Sequence, residues 1–276
     1  MAQRLVPSHP NRSFNQWGEW ASASHVQSYG VVGQQKGYLV KIGLIQTRGI
    51  GDIVIAAPIA QYYVERGHDV YWPVDQRFHP FVQTAFPVIN FLPVDQSVTG
   101  DATLEYFYSQ PLAQLQEMGC EQIFCLYSYL SGLDVVNAKL AKSLKFDEYK
   151  YAVANVPFSQ KWGLRVNRHR ERELQLVEKL GIERPYALLH EEGSNFKLEI
   201  QLPSDVQERL QVVRISSITV NPFDWIGIIE SASLFACVDS CFANLAEQLN
   251  LCADKYLFLR SDIRATPVFK NNWKFR

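Results

Sequence analysis

Long hydrophobic runs, a strong net charge and Cys-x-x-Cys pairs are all missing from this sequence. No stretch reaches about 18 consecutive apolar residues, so we expect no membrane-spanning helix. The 27 lysines and arginines nearly balance the 28 aspartates and glutamates, which gives a formal net charge of −1. This balance excludes a global electrostatic attraction to nucleic acid or to an anionic membrane, although a local basic groove is compatible with it.

The cysteines lack the spacing of a metal site or of a redox motif. No Cys-x-x-Cys pair occurs and no histidine lies at zinc-ligand spacing from two cysteines, so we predict no metal ion. An odd number, five, favours free thiols in a reducing compartment. Residues 1–37 are polar and lack the apolar core of a signal peptide, so we expect a cytoplasmic protein. The five cysteines are Cys120, Cys125, Cys237, Cys241 and Cys252.

From residue 38 onward, strand-like and helix-like segments alternate along the chain. With 276 residues, of which 47% are hydrophobic, the sequence can form two lobes of about 100 to 150 residues each. We therefore predict the α/β class, with two Rossmann-like domains whose sheets are parallel and covered on both faces. The predicted units are an irregular extension over 1–37, an N-terminal domain over 38–160 and a C-terminal domain over 161–276.

Hydrophobic patterning gives the predicted elements of both domains. The predicted strands are 38–46, 68–74, 88–94, 122–127, 186–190, 211–215, 234–239 and 255–260. The predicted helices are 53–66, 77–85, 102–118, 132–144, 165–179, 223–232 and 241–250. Residues 145–165 are less regular, and 156–159 are typical of a linker.

A polar cluster directly follows three of the predicted strands. Residues 47–52 (Thr-Arg-Gly-Ile-Gly-Asp) follow the first strand, and residues 190–197 and 239–244 end two strands of the second half. Open α/β sheets bind ligands outside the carboxyl ends of their strands, where helix N-termini also face the ligand. Three such clusters on two lobes predict a ligand-binding cleft between the lobes.

Each cluster also has a purely structural interpretation. Asp52 is either a helix N-cap, a catalytic carboxylate at a cleft, or both. His190 is compatible with a hydrogen-bonded core histidine, Lys197 with an exposed loop, and Asp239-Ser240 with a simple strand-to-helix turn. The arginines of the predicted helix 165–179 indicate a solvated helix face in preference to an anion-binding patch.

Three of these motifs, taken in order, resemble the lipopolysaccharide heptosyltransferase family. Gly51-Asp52, with the apolar stretch that follows, is similar to the N-terminal signature of that family. Residues 238–246 are similar to its second signature, D-[ST]-G-x-x-H-L-A, and the loop 193–197 lies where the family has a phosphate-contacting Ser or Thr and a Lys. The resemblance covers about residues 38–260.

This resemblance implies the GT-B fold and a metal-independent inverting glycosyltransferase that uses a nucleotide-sugar donor and no cofactor. It implies that Asp52 is the general base on the acceptor hydroxyl, that Ser194 and Lys197 hold the donor diphosphate, and that Asp239 and Ser240 complete the phosphate site. The predicted donor-binding residues are Gly193, Ser194, Lys197, Asp239, Ser240 and Asn244. The predicted acceptor or cleft residues are Arg48, Gly49, Gly51 and His190.

The implied acceptor is a surface glycan or lipopolysaccharide, and other functions stay open. A modified base in DNA is the less favoured acceptor, indicated by the arginine cluster and the basic C-terminus. Cys241 stands where the family has glycine and Asn244 where it has histidine, which favours a non-catalytic nucleotide-sugar-binding protein as the alternative. An epimerase-like enzyme of the same fold is a third possibility. The basic residues concerned are Arg165, Arg168, Arg170, Arg172, Lys270, Lys274 and Arg276.

Overall fold

Two parallel β-sheets form the framework of this protein. A computed structural model describes residues 39–95, 103–130, 136–183, 185–193, 196–259 and 265–276. All of the elements below belong to the compact unit Gly37–Arg276. The predicted extension over 1–37 and the predicted donor residue Ser194 lie outside the described residues.

The first sheet has four strands in the order β3-β2-β1-β4. Its central strand pairs in parallel with both neighbours, so that Ile42 lies opposite Val70 on one side and Gln122 on the other. The strands are β1 (Lys41–Ile45), β2 (Asp69–Asp75), β3 (Asn90–Val94) and β4 (Gln122–Cys125). The helices are α1 (Ile50–Val64), α2 (His79–Ala85), α3 (Gln110–Glu117, continuing a π-helical turn at Glu105–Ser109), α4 (Ala138–Ser143) and α5 (Phe146–Val153).

The second sheet has five parallel strands in the order β6-β5-β7-β8-β9. A 3-10 helix at Phe158–Gly163 leads into this half, and another at Pro222–Trp225 precedes its third helix. The strands are β5 (Tyr186–His190), β6 (Gln211–Arg214), β7 (Leu234–Val238), β8 (Lys255–Phe258) and β9 (Trp273–Phe275). The helices are α6 (Arg170–Lys179), α7 (Ser204–Arg209), α8 (Ile226–Ser231) and α9 (Cys241–Gln248).

The eight predicted strands are confirmed, and three further elements were not predicted. Helix α5 lies in the stretch interpreted as irregular, because its N-cap is Lys145 and the sequence therefore lacks the usual Ser, Thr, Asp or Asn start signal. The backbone N–H of Lys145 is instead capped by the Glu148 carboxylate at 2.9 Å. Helix α7 and strand β9 are too short, at six and three residues, to show a hydrophobic period.

Several predicted boundaries are wrong, among them that of the predicted helix 165–179, which begins at Arg170. Helix α1 begins at Ile50 and not at residue 53, because Gly49 supplies the N-cap with a positive φ of 87°. Of the residues 156–159, interpreted as a linker, the last two belong to the 3-10 helix Phe158–Gly163. This helix packs against Tyr151 through Phe158, and Phe158 packs against Trp162. The predicted domain boundary at 160/161 falls inside this 3-10 helix.

Helix α1 lies at the junction of the two halves and is buried over most of its length. On one side it receives a hydrogen bond from α9, where Gln248 Nε2 donates to the carbonyl oxygen of Val54 at 2.8 Å. On another side α5 contributes Tyr151, whose hydroxyl donates to the Ile55 carbonyl oxygen at 2.8 Å. One continuous hydrophobic cluster accordingly contains residues of both sheets. Within the described ranges, no helix is both long and apolar enough to cross a membrane.

Candidate active site

The turn between β1 and α1 presents Asp52 at the carboxyl end of the first sheet. Asp52 is the third helical residue and lies in the first turn of α1, so it is not the N-cap residue considered above. A Cβ atom added at Gly49 would lie 2.7 Å from Asp52 Oδ2, so the turn needs glycine there for its backbone and for this close approach. The carboxylate thus packs over the backbone of its own turn. The Asp52 side chain is 37% exposed.

A lysine that the sequence interpretation missed contacts this carboxylate. Lys150 Nζ lies 3.0 Å from Asp52 Oδ1, and the lysine side chain is only 3% exposed. It also donates to Gln46 Oε1 at 2.6 Å and to the Leu126 carbonyl oxygen at 3.1 Å. Lys150 lies in α5, the unpredicted helix, and a charged residue between Tyr149 and Tyr151 was the only local signal for it.

The backbone of the same turn is held by Tyr127, just beyond β4. Its hydroxyl oxygen accepts hydrogen bonds from the backbone N–H groups of Thr47 at 2.9 Å and Arg48 at 3.2 Å. Burial raises the pKa of Tyr127, and the nearby Asp52 charge acts in the same direction, although these two hydrogen bonds oppose it. The tyrosine is therefore a neutral acceptor that orders the turn carrying Arg48 and Gly49.

On the second sheet, the turn after β7 carries Asp239 and Ser240 into α9. Ser240 is the N-cap of α9, but its hydroxyl contacts His190 Nδ1 at 3.0 Å and makes no side-chain cap bond within the described part of the chain. The His190 ring packs edge-on against Phe242 at 4.7 Å between ring centroids. Burial lowers the pKa of His190 to about 4, against the opposing charges of Glu192 and Glu191, so the imidazole is neutral at pH 7.

The two turns meet at Gly51. A Cβ atom added at Gly51 would lie 3.5 Å from both the backbone nitrogen and the Cα of Cys241, the first residue of α9. The first turns of α1 and α9 are therefore packed against each other. Asp52 lies in the first turn of α1, and Ser240 is the N-cap of α9. This arrangement brings together the predicted residues of the first and third polar clusters.

Two further residues of α9 line its N-terminal turn. Burial raises the pKa of the Cys241 thiol to about 12, so the sulfur is protonated and lies against the N–H groups of Cys241 and Phe242. Asn244 is buried and donates from Nδ2 to the Ser240 carbonyl oxygen at 2.9 Å. No hydrogen-bond partner for its Oδ1 atom occurs among the described residues. Asn244 thus stiffens the turn that carries Ser240.

The predicted phosphate loop is only partly described, and its lysine points to solvent. Glu192 and Lys197 form an isolated antiparallel bridge, and Lys197 Nζ contacts Glu192 Oε1 at 2.9 Å with a side chain that is 71% exposed. Gly193 donates its N–H to the Phe196 carbonyl oxygen at 2.8 Å. Glu191 turns to Arg214 instead, at 3.1 Å. Of the two glutamates, Glu192 is therefore the ion-pair partner of Lys197.

The arginines of the predicted helix 165–179 are engaged in ion pairs. Arg168 contacts both Glu173 and Glu230, and Arg172 contacts Asp224 at 2.8 Å. Arg165 pairs with Glu65, and Arg170 with Glu173 and Glu230. The exposed side chains of Arg165 and Arg170 agree with the interpretation of a solvated face, whereas the Arg168–Glu173 pair is largely buried. Across the ranges that the structure describes, no group of three His, Cys, Asp or Glu side chains is placed to hold a metal ion.

The buried His190 leads to a pH-dependent stability. Its folded pKa of about 4 lies below the usual value of 6.5, so the unfolded chain binds more protons between these values and stability falls as the pH is lowered through this window. We expect His190 to remove about 2 kcal/mol from the free energy of unfolding between about pH 7.5 and about pH 5. Urea denaturation at both pH values measures the loss. His190→Gln should lose less by that amount, and equal losses in both proteins would contradict the prediction.

Gly49 and Gly51 form a matched pair for testing the turn. Gly49→Ala forces a φ of 87° on a residue with a side chain and pushes against Asp52 Oδ2, so we expect a loss of about 1–3 kcal/mol in stability. Gly51→Ala places its Cβ at ordinary contact distance inside a helix, so stability should be unchanged or slightly higher. Thermal denaturation compares the two. Similar melting temperatures would show that the turn tolerates a side chain at Gly49.

Comparison with known proteins supports the fold. No protein-family model and no curated protein sequence matches this chain. Among solved structures, a glycosyl transferase of family 9 from Veillonella parvula has a TM-score of 0.56 at 11% identity, over 86% of both chains. The ADP-heptose lipopolysaccharide heptosyltransferase II of E. coli has a TM-score of 0.56 at 11% identity, over 86% of this chain and 90% of that one. E. coli heptosyltransferase WaaC with ADP has a TM-score of 0.50 at 11% identity, over 86% and 92%.

The structural similarity to these three proteins extends over 86% of this chain. Two parallel sheets in an α/β arrangement are shared with solved glycosyltransferases. The predicted fold class is therefore confirmed. At 11% identity the comparison establishes the fold. The function depends on the residues of the site.

Proposed function

We propose that this protein is a glycosyltransferase that moves a sugar from a nucleotide-sugar donor to a hydroxyl acceptor, with inversion and without a metal ion. The observation that carries the proposal is the close approach of the N-termini of α1 and α9, which brings Asp52 and Ser240 to one site. The structural neighbours support it, because two of them are named as heptosyltransferases.

Asp52 is suited to the base in such a reaction. A single-step inverting transfer needs a group that removes the proton of the attacking hydroxyl within hydrogen-bond reach. The Asp52 carboxylate is partly exposed at the end of the first sheet, and its Oδ1 atom is held by Lys150. As the acceptor oxygen bonds to the anomeric carbon, the bond from that carbon to the diphosphate breaks, and the nucleoside diphosphate leaves with the electron pair.

The start of α9 is suited to the leaving diphosphate. Without a metal ion, the negative charge that develops on the diphosphate must be stabilised by helix N-termini and polar side chains. The neutral His190 can donate from Nδ1 to Ser240, which frees the serine hydroxyl to donate to a phosphate oxygen. Lys197 contributes a positive charge only if it exchanges Glu192 for the phosphate.

A nucleotide-sugar-binding protein without activity is the second candidate. It is favoured by the Cys241 thiol, which lies against the N–H groups at the start of α9, where a phosphate oxygen would otherwise accept. By contrast, the ion pairs of Arg168 and Arg172 weaken the case for a DNA acceptor. The proposed surface glycan or lipopolysaccharide acceptor follows from the resemblance. The proposed cytoplasmic location follows from the sequence, whose cysteines favour free thiols in a reducing compartment.

The experiment that separates these candidates is a panel of nucleotide sugars. Each donor is first tested for a rise in melting temperature, since a ligand that binds only the folded protein stabilises it. Donors that bind are then tested for release of nucleoside diphosphate with and without glycan acceptors. A transferase releases nucleoside diphosphate in an acceptor-dependent manner, and a pure binder shows the thermal shift alone. An epimerase would convert the donor without an acceptor.

A further inference from the structure

We propose that Lys150 is a positioning residue that holds Asp52 Oδ1 and leaves Oδ2 as the oxygen that takes the acceptor proton. This inference rests on the function proposed above and deepens it. Lys150 comes from α5, Asp52 from α1, and the two are joined at 3.0 Å. The assignment follows from how completely the ammonium group is bound, from which partner remains exposed, and from where the second carboxylate oxygen lies.

The Lys150 ammonium group has as many acceptors as it has hydrogen atoms. Gln46 Oε1 lies at 2.6 Å, Asp52 Oδ1 at 3.0 Å and the Leu126 carbonyl oxygen at 3.1 Å. These acceptors come from the ends of β1 and β4 and from α1, so three segments fix the position of the nitrogen. If Asp52 rotates, the buried ammonium group is still held by Gln46 Oε1 and the Leu126 carbonyl oxygen, so it does not follow the carboxylate. Lys150 therefore anchors Asp52, and not the reverse.

A second buried lysine shows what a purely structural ion pair looks like in this protein. Lys161 Nζ contacts Asp147 Oδ2 at 2.7 Å, and both side chains are 0% exposed. The Lys150 pair differs, because the lysine is 3% exposed while its carboxylate is 37% exposed. Only one end of the pair is thus taken out of solvent. The exposed end is the group that a substrate hydroxyl would have to reach.

The second oxygen of Asp52 lies beside Gly49. Oδ2 would be 2.7 Å from a Cβ atom at Gly49, so it occupies the space that the missing side chain leaves. With Oδ1 bound to Lys150, the proton of the acceptor hydroxyl passes to Oδ2 and later to water. Ionisable groups near Asp52 include Arg48 in the same turn, the Tyr127 hydroxyl and, beside Gly51, the Cys241 thiol. Burial raises the pKa of the tyrosine and of the thiol, and both stay protonated at neutral pH.

The test is the steady-state kinetics of nucleoside diphosphate release by Lys150→Met. We expect kcat to fall by about 10²-fold, because the base loses its fixed position, while KM for the donor stays within about twofold. If the methionine variant does not fold, Lys150→Gln keeps a polar group in the buried space, and the same expectations apply.

Lys161→Met is the matched control. It removes a buried lysine of a second ion pair, so it should lower the melting temperature and leave kcat and KM at the values of the original protein. All rates are measured per folded molecule, below the melting temperature of every variant. A Lys150 variant that keeps the original kcat overturns the inference, as does an equal fall in kcat for Lys161→Met.

The two proposals fail in different ways. If Asp52→Asn is inactive while the Lys150 variants behave like the original protein, only the positioning role is wrong. If Asp52→Asn turns over normally, or if no nucleotide sugar gives nucleoside diphosphate with the original protein, then the proposed function and the role of Lys150 are both wrong.

Discussion

Asp52→Asn is expected to lower acceptor-dependent release of nucleoside diphosphate by about 10²–10⁴-fold. The asparagine amide keeps an oxygen that accepts from Lys150, so the turn retains its shape, but it cannot remove a proton from the acceptor hydroxyl. Binding of the donor should be unchanged, because the proposed diphosphate contacts lie at the start of α9 and not at Asp52. The measurement combines turnover with the thermal shift produced by the same donor.

Asp205→Asn is the control for this substitution. Asp205 lies at the start of α7, forms an exposed ion pair with Arg209 and has a side chain that is 72% exposed. Its replacement removes the same charge at a site that contacts neither turn of the candidate active site, so turnover should stay at the original level. Equal turnover in Asp52→Asn and Asp205→Asn would eliminate Asp52 as the base.

Glu247→Ala is expected to cause the largest loss of stability. Glu247 lies in α9, is fully buried and accepts four hydrogen bonds through its two carboxylate oxygens. The donors are Trp162 Nε1 at 2.6 Å, Lys270 N at 2.8 Å, Asn271 N at 3.2 Å and Trp273 Nε1 at 2.8 Å. One carboxylate thereby joins the first 3-10 helix, the segment before β9, and β9 itself.

Removing this carboxylate leaves four N–H groups without their acceptor, each at a cost of about 1–3 kcal/mol when it stays buried. Partial relaxation lowers the sum, and we expect a loss of about 4 kcal/mol, which corresponds to a fall in melting temperature of roughly 8–16 °C. Differential scanning calorimetry measures it. Asp205→Ala, which breaks an exposed pair, should shift the melting temperature by less than about 2 °C. A shift for Glu247→Ala no larger than that of Asp205→Ala would disprove the structural role.

The alternation of strands and helices was predictable because its signals are local. Buried parallel strands such as β1 and β7 are short apolar runs, and the glycine-bearing turn before α1 marks the end of one of them. The position of polar residues at strand ends was predictable for the same reason. Helix α5 escaped prediction because a lysine occupies its N-cap, and β9 because three residues carry no period.

Of the predicted site residues, Asp52, Gly51 and Ser240 lie at the helix ends that pack together, and His190 reaches this group through Ser240. Lys197 is paired with Glu192 on an exposed bridge. The roles assigned to these residues remain predictions. Their positions follow from the sheet edges, whereas the direction of each side chain depends on neighbours distant in the chain.

Residue order was sufficient for the α/β class, the parallel sheets and the three polar clusters, since hydrophobic period and glycine placement act over a few residues. The partners of those clusters depended on the folded chain. Lys150 meets Asp52, and Glu247 gathers donors from Trp162 and Trp273, because helices α5 and α9 pack against α1 and the C-terminal segment. Such contacts arise from close packing between segments that are far apart in sequence, and no local pattern encodes them.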